Sequence, residues 1–146
     1  MLLLRCSSAK ALGALVSSAE ALFAPVLLLS PRAIEGKSLM EMEFAFYLAR
    51  RAFEEKSNIS SKLSNEALLF LARETNFASA LRRVGANDAR LFVLVCEKNV
   101  PLAKAKRELG LTSAKKIALS RMGKRKGAYF EAERAAEGMA LARARN

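Results

Sequence analysis

Histidine is absent from this 146-residue sequence, and cysteine occurs only twice, at Cys6 and Cys96. Neither cysteine has a second cysteine or a histidine near it in the sequence, which excludes a zinc knuckle and a Cys-x-x-Cys redox motif. We therefore expect no bound metal and no cofactor. Both cysteines end apolar strand-like runs, where cysteine usually acts as a small buried hydrophobe, and a disulfide between neighbouring strands is the alternative.

Motifs of known catalytic chemistry are missing too. The chain has no Gly-x-Gly-x-x-Gly loop, no Walker loop, no nucleophile elbow and no acidic pair at metal-ligand spacing. Catalysis without histidine would need a lysine or carboxylate whose pKa is shifted by burial. Glu66 is the one acid of interest, and a carboxylate in the first turn of a helix is its simpler explanation. We expect a protein that is not an enzyme and has no small-molecule substrate.

Long hydrophobic runs are also lacking, since no stretch of about 18 uncharged apolar residues is present to cross a bilayer. The apolar amino-terminal segment is interrupted by Arg5, Lys10 and Glu20, which argues against a signal peptide. We expect a soluble cytoplasmic protein without membrane contact. Its length is close to that of one average domain, and no repeat or linker divides it, so we predict a single domain over residues 1–146.

Positive charge, by contrast, is in excess, with 25 lysines and arginines against 14 acidic residues and a formal net charge of +11. Most of this charge lies between Lys104 and Lys126, where Glu108 is the only acid. A basic surface of that size binds phosphates through counterion release, and it predicts nucleic acid as a partner. A surface charged only for stability or solubility is the alternative.

Hydrophobic periodicity predicts an α+β fold, in which several helices surround a small mixed, mainly antiparallel sheet. The predicted strands are Leu2–Cys6, Val26–Leu29 and Arg90–Cys96, and the last is apolar enough to be central. An ambiguous region follows Ser113, where we favour an edge strand over residues 116–121. The predicted helices cover about residues 9–22, 37–56, 64–72, 76–84, 101–110 and 129–145.

Two short amphipathic helices within residues 58–85 form the most informative segment. Ser64 is the predicted N-cap of the first helix, and Thr75 or Asn76 caps the second. The second helix ends at Gly85, and its last turn carries two arginines that suit the helix dipole. Its predicted buried stripe consists of Phe77, Ala80, Leu81 and Val84.

Three segments carry a family resemblance: the strand and turn of residues 26–39, the helix pair of residues 58–72 and 76–85, and residues 137–141. They resemble the archaeal and eukaryotic KEOPS accessory-subunit family related to TPRKB, the PRPK-binding protein. The likeness covers residues 26–96 well and the remainder loosely. The family commonly has a histidine where this chain has Ser38, and its last helix is less basic than the one predicted here.

The resemblance implies a non-catalytic subunit of the KEOPS complex, which makes threonylcarbamoyladenosine in tRNA. Such a subunit binds the small kinase-like ATPase subunit and recruits tRNA through its 3′ CCA end. Unpaired ends are held by stacking and cationic grooves, so we assign the 3′ end to a corner between the two helices. The residues of that corner are Lys62, Arg73, Asn76, Arg82 and Arg83.

The rest of the basic surface is expected to steer the tRNA body, through Lys115, Lys116, Lys124, Arg125 and Lys126. The strip expected to face the kinase-like subunit is Met139, Ala140 and Leu141. A stand-alone basic RNA-binding protein, for example a ribosome-associated factor, is the alternative function. Stable complex formation with a kinase-like partner would separate the two.

Overall fold

The computed structural model describes residues 1–120, so the helix predicted over residues 129–145 lies outside the described part. In chain order the elements are β1 (Leu2–Ser8), α1 (Leu12–Phe23), β2 (Val26–Leu29), a 3₁₀ turn (Pro31–Ile34), α2 (Leu39–Glu54), α3 (Leu63–Ala72), α4 (Phe77–Val84), β3 (Phe92–Cys96), α5 (Leu102–Leu109) and β4 (Leu111–Lys116). The predicted α+β class is confirmed by the helices and the four-stranded sheet found over this range.

The chain contacts divide into two units. The sheet unit comprises Met1–Ile34 and Gly85–Ala118, and it contains all four strands together with α1 and α5. The helical unit comprises Glu35–Val84, with α2, α3 and α4, and the described residues after Ala118 also belong to it.

The sheet has the strand order β2-β3-β1-β4, and each of its pairings is antiparallel. All five residues of β3 are buried, which confirms the central strand predicted from the apolar run before Cys96. Alternate residues such as Leu4 and Leu94, which are paired across β1 and β3, belong to a core that includes Leu15 of α1 and Leu109 of α5. The residues of β1 and β3 that enter this core therefore recur at every second position, as expected for one face of a sheet.

Both cysteines are buried free thiols, as predicted for small core residues. The register places Cys6 opposite Phe92 and Cys96 opposite Leu2, so the thiols lie about 13 Å apart along the strands. That separation is too long for a disulfide. Burial raises the pKa of Cys6 to about 12 and that of Cys96 to about 11, so both thiols stay protonated at neutral pH.

The edge strand β4 begins earlier than predicted, at Leu111 instead of residue 116. Gly110 ends α5 in the left-handed conformation, with φ 63°, and the chain reverses into β4 at the next residue. The alternating residues after Lys116 therefore follow the strand instead of forming it. The sequence pattern marks Gly110 as the end of a helix but does not show that a strand begins directly after it. The helix-forming residues that follow made the start of the strand ambiguous.

Ser38 caps α2, because its buried hydroxyl accepts a hydrogen bond from the Glu41 backbone N–H at 3.2 Å. The predicted apolar stripe of α2 is buried at Met42, Phe46 and Ala49. The N-cap predicted at Ser64 is wrong, since α3 begins at Leu63 after Lys62 and Ser64 is buried in the first turn. In the same turn, the carboxylate of Glu66 accepts hydrogen bonds from the backbone of the preceding loop.

The buried stripe predicted for α4 is only half right. Ala80 and Val84 are buried, whereas Phe77 is 38% exposed and Leu81 is 43% exposed. This two-turn helix packs against α3, and the buried stripe on its surface is only one row of side chains wide. The remaining apolar row faces solvent beside the arginines of the last turn.

Candidate nucleic-acid interface

The corner between α3 and α4 is built by an unusual helix end. Arg73 follows α3 in the left-handed conformation, with φ 57° and ψ 44°, and the Glu74 N–H bonds the Leu69 carbonyl at 3.0 Å. Glycine is the usual residue at this position, because a side chain there costs about 1–2 kcal/mol. The backbone geometry alone therefore does not explain an arginine at this position.

Asn76 begins α4 as one of the two predicted caps. Its side-chain oxygen Oδ1 accepts a hydrogen bond from the Ser79 N–H at 3.0 Å, and its carbonyl accepts from the Ala80 N–H at 3.0 Å. The side-chain carbonyl is thus committed to the helix. Any contact between the Asn76 side chain and a ligand would be made by its NH2 group, which donates hydrogen bonds.

Arg82 and Arg83 are both exposed, and each is held by a neighbour on the helical unit. The Arg82 guanidinium donates to the Ser79 hydroxyl at 3.1 Å. The Arg83 guanidinium pairs with the Glu74 carboxylate at 3.0 Å, and 60% of the Arg83 side chain remains exposed. An exposed ion pair of this kind contributes at most about 1 kcal/mol, so its main effect is to orient the arginine.

Lys37 also belongs to this corner, although no sequence pattern singled it out. Burial lowers its pKa, and the positive charges of Arg73 and Arg83 lower it further, while Glu41 acts in the opposite direction. Arg73 and Arg83 therefore both lie within electrostatic reach of Lys37, and we call these three residues the cationic corner. Lys37 precedes α2 and is remote from α3 in sequence, so only the packing of α2 against α3 brings it here.

Two carboxylates of the helical unit are wholly or partly buried within it. Glu66 is fully buried, and its oxygens accept hydrogen bonds from the backbone N–H groups of Ile59 at 3.1 Å and Ser60 at 2.8 Å. Glu66 is therefore a loop anchor, which goes beyond the helix-dipole role that the sequence suggested. Glu41 has one buried oxygen, Oε2, that lacks a hydrogen-bond partner within the described part of the chain.

Lys62 does not belong to the corner in which the sequence placed it. Lys62 precedes the first residue of α3 and Arg73 follows its last, so the ten-residue helix separates them by about 15 Å. Both residues are exposed, and they lie at opposite ends of the helix.

The other predicted nucleic-acid residues divide between the sheet unit and the undescribed chain. Lys115 and Lys116 lie exposed on β4. Six predicted site residues lie outside residues 1–120, namely Lys124, Arg125, Lys126, Met139, Ala140 and Leu141.

Within residues 1–120, no three histidine, cysteine, aspartate or glutamate side chains lie close enough to bind a metal ion together. None of the helices in that range has the length and apolar character needed to cross a membrane. No protein-family model matches the chain, and no curated protein matches its sequence.

Proposed function

We propose that this protein is a non-catalytic, cytoplasmic accessory subunit of the KEOPS type. It recruits tRNA through the 3′ CCA end and binds the small kinase-like ATPase subunit. The observation that carries the tRNA part of the proposal is the grouping of Lys37, Arg73 and Arg83 at the end of α3.

The electrostatics of the cationic corner favour an anionic ligand. Lys37 is partly desolvated and repelled by two arginines, and both effects act against its charged form. A phosphate placed among the three side chains would reverse the repulsion and supply charge-assisted hydrogen bonds. The folded protein keeps this unfavourable charge arrangement in the absence of a ligand, and binding of a polyanion would reduce the repulsion.

The conformation of Arg73 supports the same proposal. A left-handed residue with a long side chain is less stable than glycine at this position. The guanidinium is a planar fork that matches the oxygens of a phosphate. Exposed Phe77, near the same corner on α4, offers a ring on which an unpaired base can stack.

The first test replaces Arg73 with glycine. Arg73→Gly keeps the backbone conformation and relieves its strain, so the free energy of unfolding should stay the same or rise slightly. We expect the affinity for whole tRNA to fall about tenfold, which corresponds to the loss of one charged phosphate contact. The measurement is tRNA affinity at two salt concentrations, with intact tRNA and with tRNA lacking its terminal CCA.

Lys56→Gly is the matched control. Lys56 also has φ 57°, is exposed and carries one positive charge, but it lies after α2 at the end opposite to Lys37. This variant should leave tRNA affinity nearly unchanged. Equal losses in the two variants, or equal binding of intact and trimmed tRNA by the wild type, would argue for a general polyanion surface and against 3′-end recruitment.

The partner part of the proposal has its own test. The full-length chain should form a stable complex with a KEOPS kinase-like ATPase, measured by co-elution in size-exclusion chromatography. Specific 3′-end binding without such a complex would favour a stand-alone RNA-binding protein over an accessory subunit.

A further inference from the structure

A second group of cations lies on the sheet unit, at the pair formed by β1 and the edge strand β4. Arg5 and Lys115 are directly opposite each other in the antiparallel register, and both side chains are exposed. Opposite residues in such a pair have Cβ atoms about 4.5–5.5 Å apart, and like charges there are destabilising. Within residues 1–120 neither side chain has an ion-pair partner. The fold therefore retains a repulsive pair.

A β-bulge places three hydroxyl groups beside that pair. Ser7 is opposite Ser113 and Ser8 is opposite Leu111, so Thr112 is the extra residue on β4. The Ser7 Oγ atom lies 2.8 Å from Thr112 Oγ1 and 2.7 Å from Ser113 Oγ. The bulge thus turns Thr112 towards the row that already contains Ser7 and Ser113.

The three hydroxyl groups retain one hydrogen-bond donor that their mutual contacts do not use. Ser7, Thr112 and Ser113 each carry one hydroxyl hydrogen, and the two contacts centred on Ser7 use two of them. At least one O–H is left over from those contacts and can donate to an outside acceptor. Cations and hydroxyl donors without acidic side chains are the chemistry with which proteins hold phosphate oxygens.

The two rows lie close enough to serve one ligand. Residues two apart on a strand are about 6.7 Å apart, so the Arg5–Lys115 row lies next to the Ser7–Ser113 row. Arg5 and Ser7 point to the same face of the sheet, because they alternate along β1 with buried Leu4 and Cys6. The long arms of lysine and arginine easily span this distance.

We propose that Arg5, Lys115 and the Ser7–Thr112–Ser113 hydroxyls form a site for the phosphate backbone of double-helical RNA, which it binds without reading sequence. The site rests on the proposed function and adds to it a second RNA contact, of a different kind from the capture of an unpaired end. Arg5, which lies far from the basic carboxyl-terminal segment in sequence, is thereby assigned a role beside Lys115.

The test uses two RNA probes with the full-length protein. One is a blunt RNA hairpin without an unpaired 3′ end, and the other is a single-stranded oligonucleotide that ends in CCA. Lys115→Glu replaces the repulsive pair with an attractive one, and Lys98→Glu makes the same charge change at an exposed lysine just beyond β3. Lys98 lies about 17 Å from Arg5 along the strands, so it is a matched control.

We expect Lys115→Glu to weaken hairpin binding at least tenfold more than Lys98→Glu, while the affinity for the CCA oligonucleotide changes equally in both variants. Lys115→Arg should keep the wild-type affinity. The melting temperature of Lys115→Glu should rise by about 1–3 °C, because the cross-strand pair becomes attractive. Opposite changes in stability and RNA affinity would exclude misfolding as the cause of weaker binding.

Other results would overturn the proposal in distinguishable ways. Equal loss of hairpin binding in Lys115→Glu and Lys98→Glu would mean that the charge acts diffusely, and the 3′-end function would be untouched. A lower melting temperature in Lys115→Glu would remove the argument from like-charge repulsion. Failure of the wild type to bind either probe would remove both this site and the proposed function.

Discussion

The two units place their polar groups differently. The sheet unit buries neutral groups, including the thiols of Cys6 and Cys96, and leaves Arg5 and Lys115 exposed on the pair formed by β1 and β4. The helical unit buries a carboxylate completely at Glu66 and partly buries a charged lysine at Lys37. Buried charge is costly unless it is hydrogen-bonded, so the helical unit depends on specific polar contacts where the sheet unit depends on apolar packing.

The two units also position their surface charges by different means. In the helical unit, acids set the cations in place, since Glu74 pairs with Arg83 and Glu41 interacts with Lys37. In the sheet unit, the strand register alone sets Arg5 opposite Lys115. The first arrangement is tuned by neighbouring side chains, and the second is a direct consequence of strand pairing.

Replacing Glu66 with alanine is the strongest way to break the helical unit. The change removes the fully buried carboxylate that accepts hydrogen bonds from the Ile59 and Ser60 N–H groups, so we expect a loss of about 3 kcal/mol in the free energy of unfolding. Urea denaturation measures it. Glu54→Ala, at an exposed glutamate of α2, should change stability by about 0.5 kcal/mol or less. A loss below about 1 kcal/mol for Glu66→Ala would contradict its role as a loop anchor.

Alkaline pH should weaken the sheet unit through its thiols. Their folded pKa values, about 12 for Cys6 and about 11 for Cys96, exceed the ordinary thiol value, so the unfolded chain releases protons first. The stabilisation is complete below pH 9 and is lost as pH rises towards 11 and 12, by up to about 1.4 kcal/mol per thiol and pH unit. The measurement is the free energy of unfolding at pH 8, 9 and 10.

A Cys6→Ala/Cys96→Ala double variant supplies the control for that pH dependence. It should be less stable than the wild type at pH 8 because alanine fills less of the core, yet its stability should fall less between pH 9 and 10. Parallel curves for the two proteins would show that the thiols do not control the alkaline loss.

Asn76→Ala tests a smaller polar contact of the helical unit. Removing the cap frees the Ser79 N–H at the start of α4, and we expect a loss of about 1 kcal/mol. Thermal unfolding measures the change. Asn87→Ala, at an exposed turn residue, should have almost no effect. Equal shifts in both variants would indicate that the cap contributes nothing specific.

Lys37→Met should change stability the least of these variants, and it should raise stability where the others lower it. Because the folded pKa of Lys37 is lowered, the unfolded chain binds its proton more tightly, so the charge destabilises the fold at neutral pH. Methionine keeps an apolar arm and should raise stability by about 0.5 kcal/mol. In the wild type, this penalty should disappear as pH rises through the lowered pKa of Lys37 towards 10.5.

The same variant sharpens the assignment of the cationic corner. Lys37→Met should weaken tRNA binding, whereas Lys62→Met, at the far end of α3, should weaken it much less. A filter-binding or fluorescence-anisotropy titration compares the two. Greater loss in Lys62→Met would move the 3′-end contact away from Lys37, Arg73 and Arg83.

Prediction from sequence succeeded where the signal was local. The apolar run that ends at Cys96 identified the central strand, and the polar residue Asn76 identified a helix cap, because each depends on neighbours within one turn or strand. It failed at Leu81, since periodicity marks an apolar face but not how much of that face another helix covers. It also placed Lys62 at the wrong end of a helix, because a corner drawn from sequence has no length scale.

Periodicity and composition are properties of the chain, and they suffice to predict the α+β class, most of the elements and the excess of positive charge. Which charges meet depends on the folded structure. Packing of α2 against α3 brought Lys37 to Arg73, folding of the loop buried Glu66, and strand register set Arg5 against Lys115. Electrostatic interaction depends on distance and burial in space, and residues remote in sequence come close together and become buried only on folding.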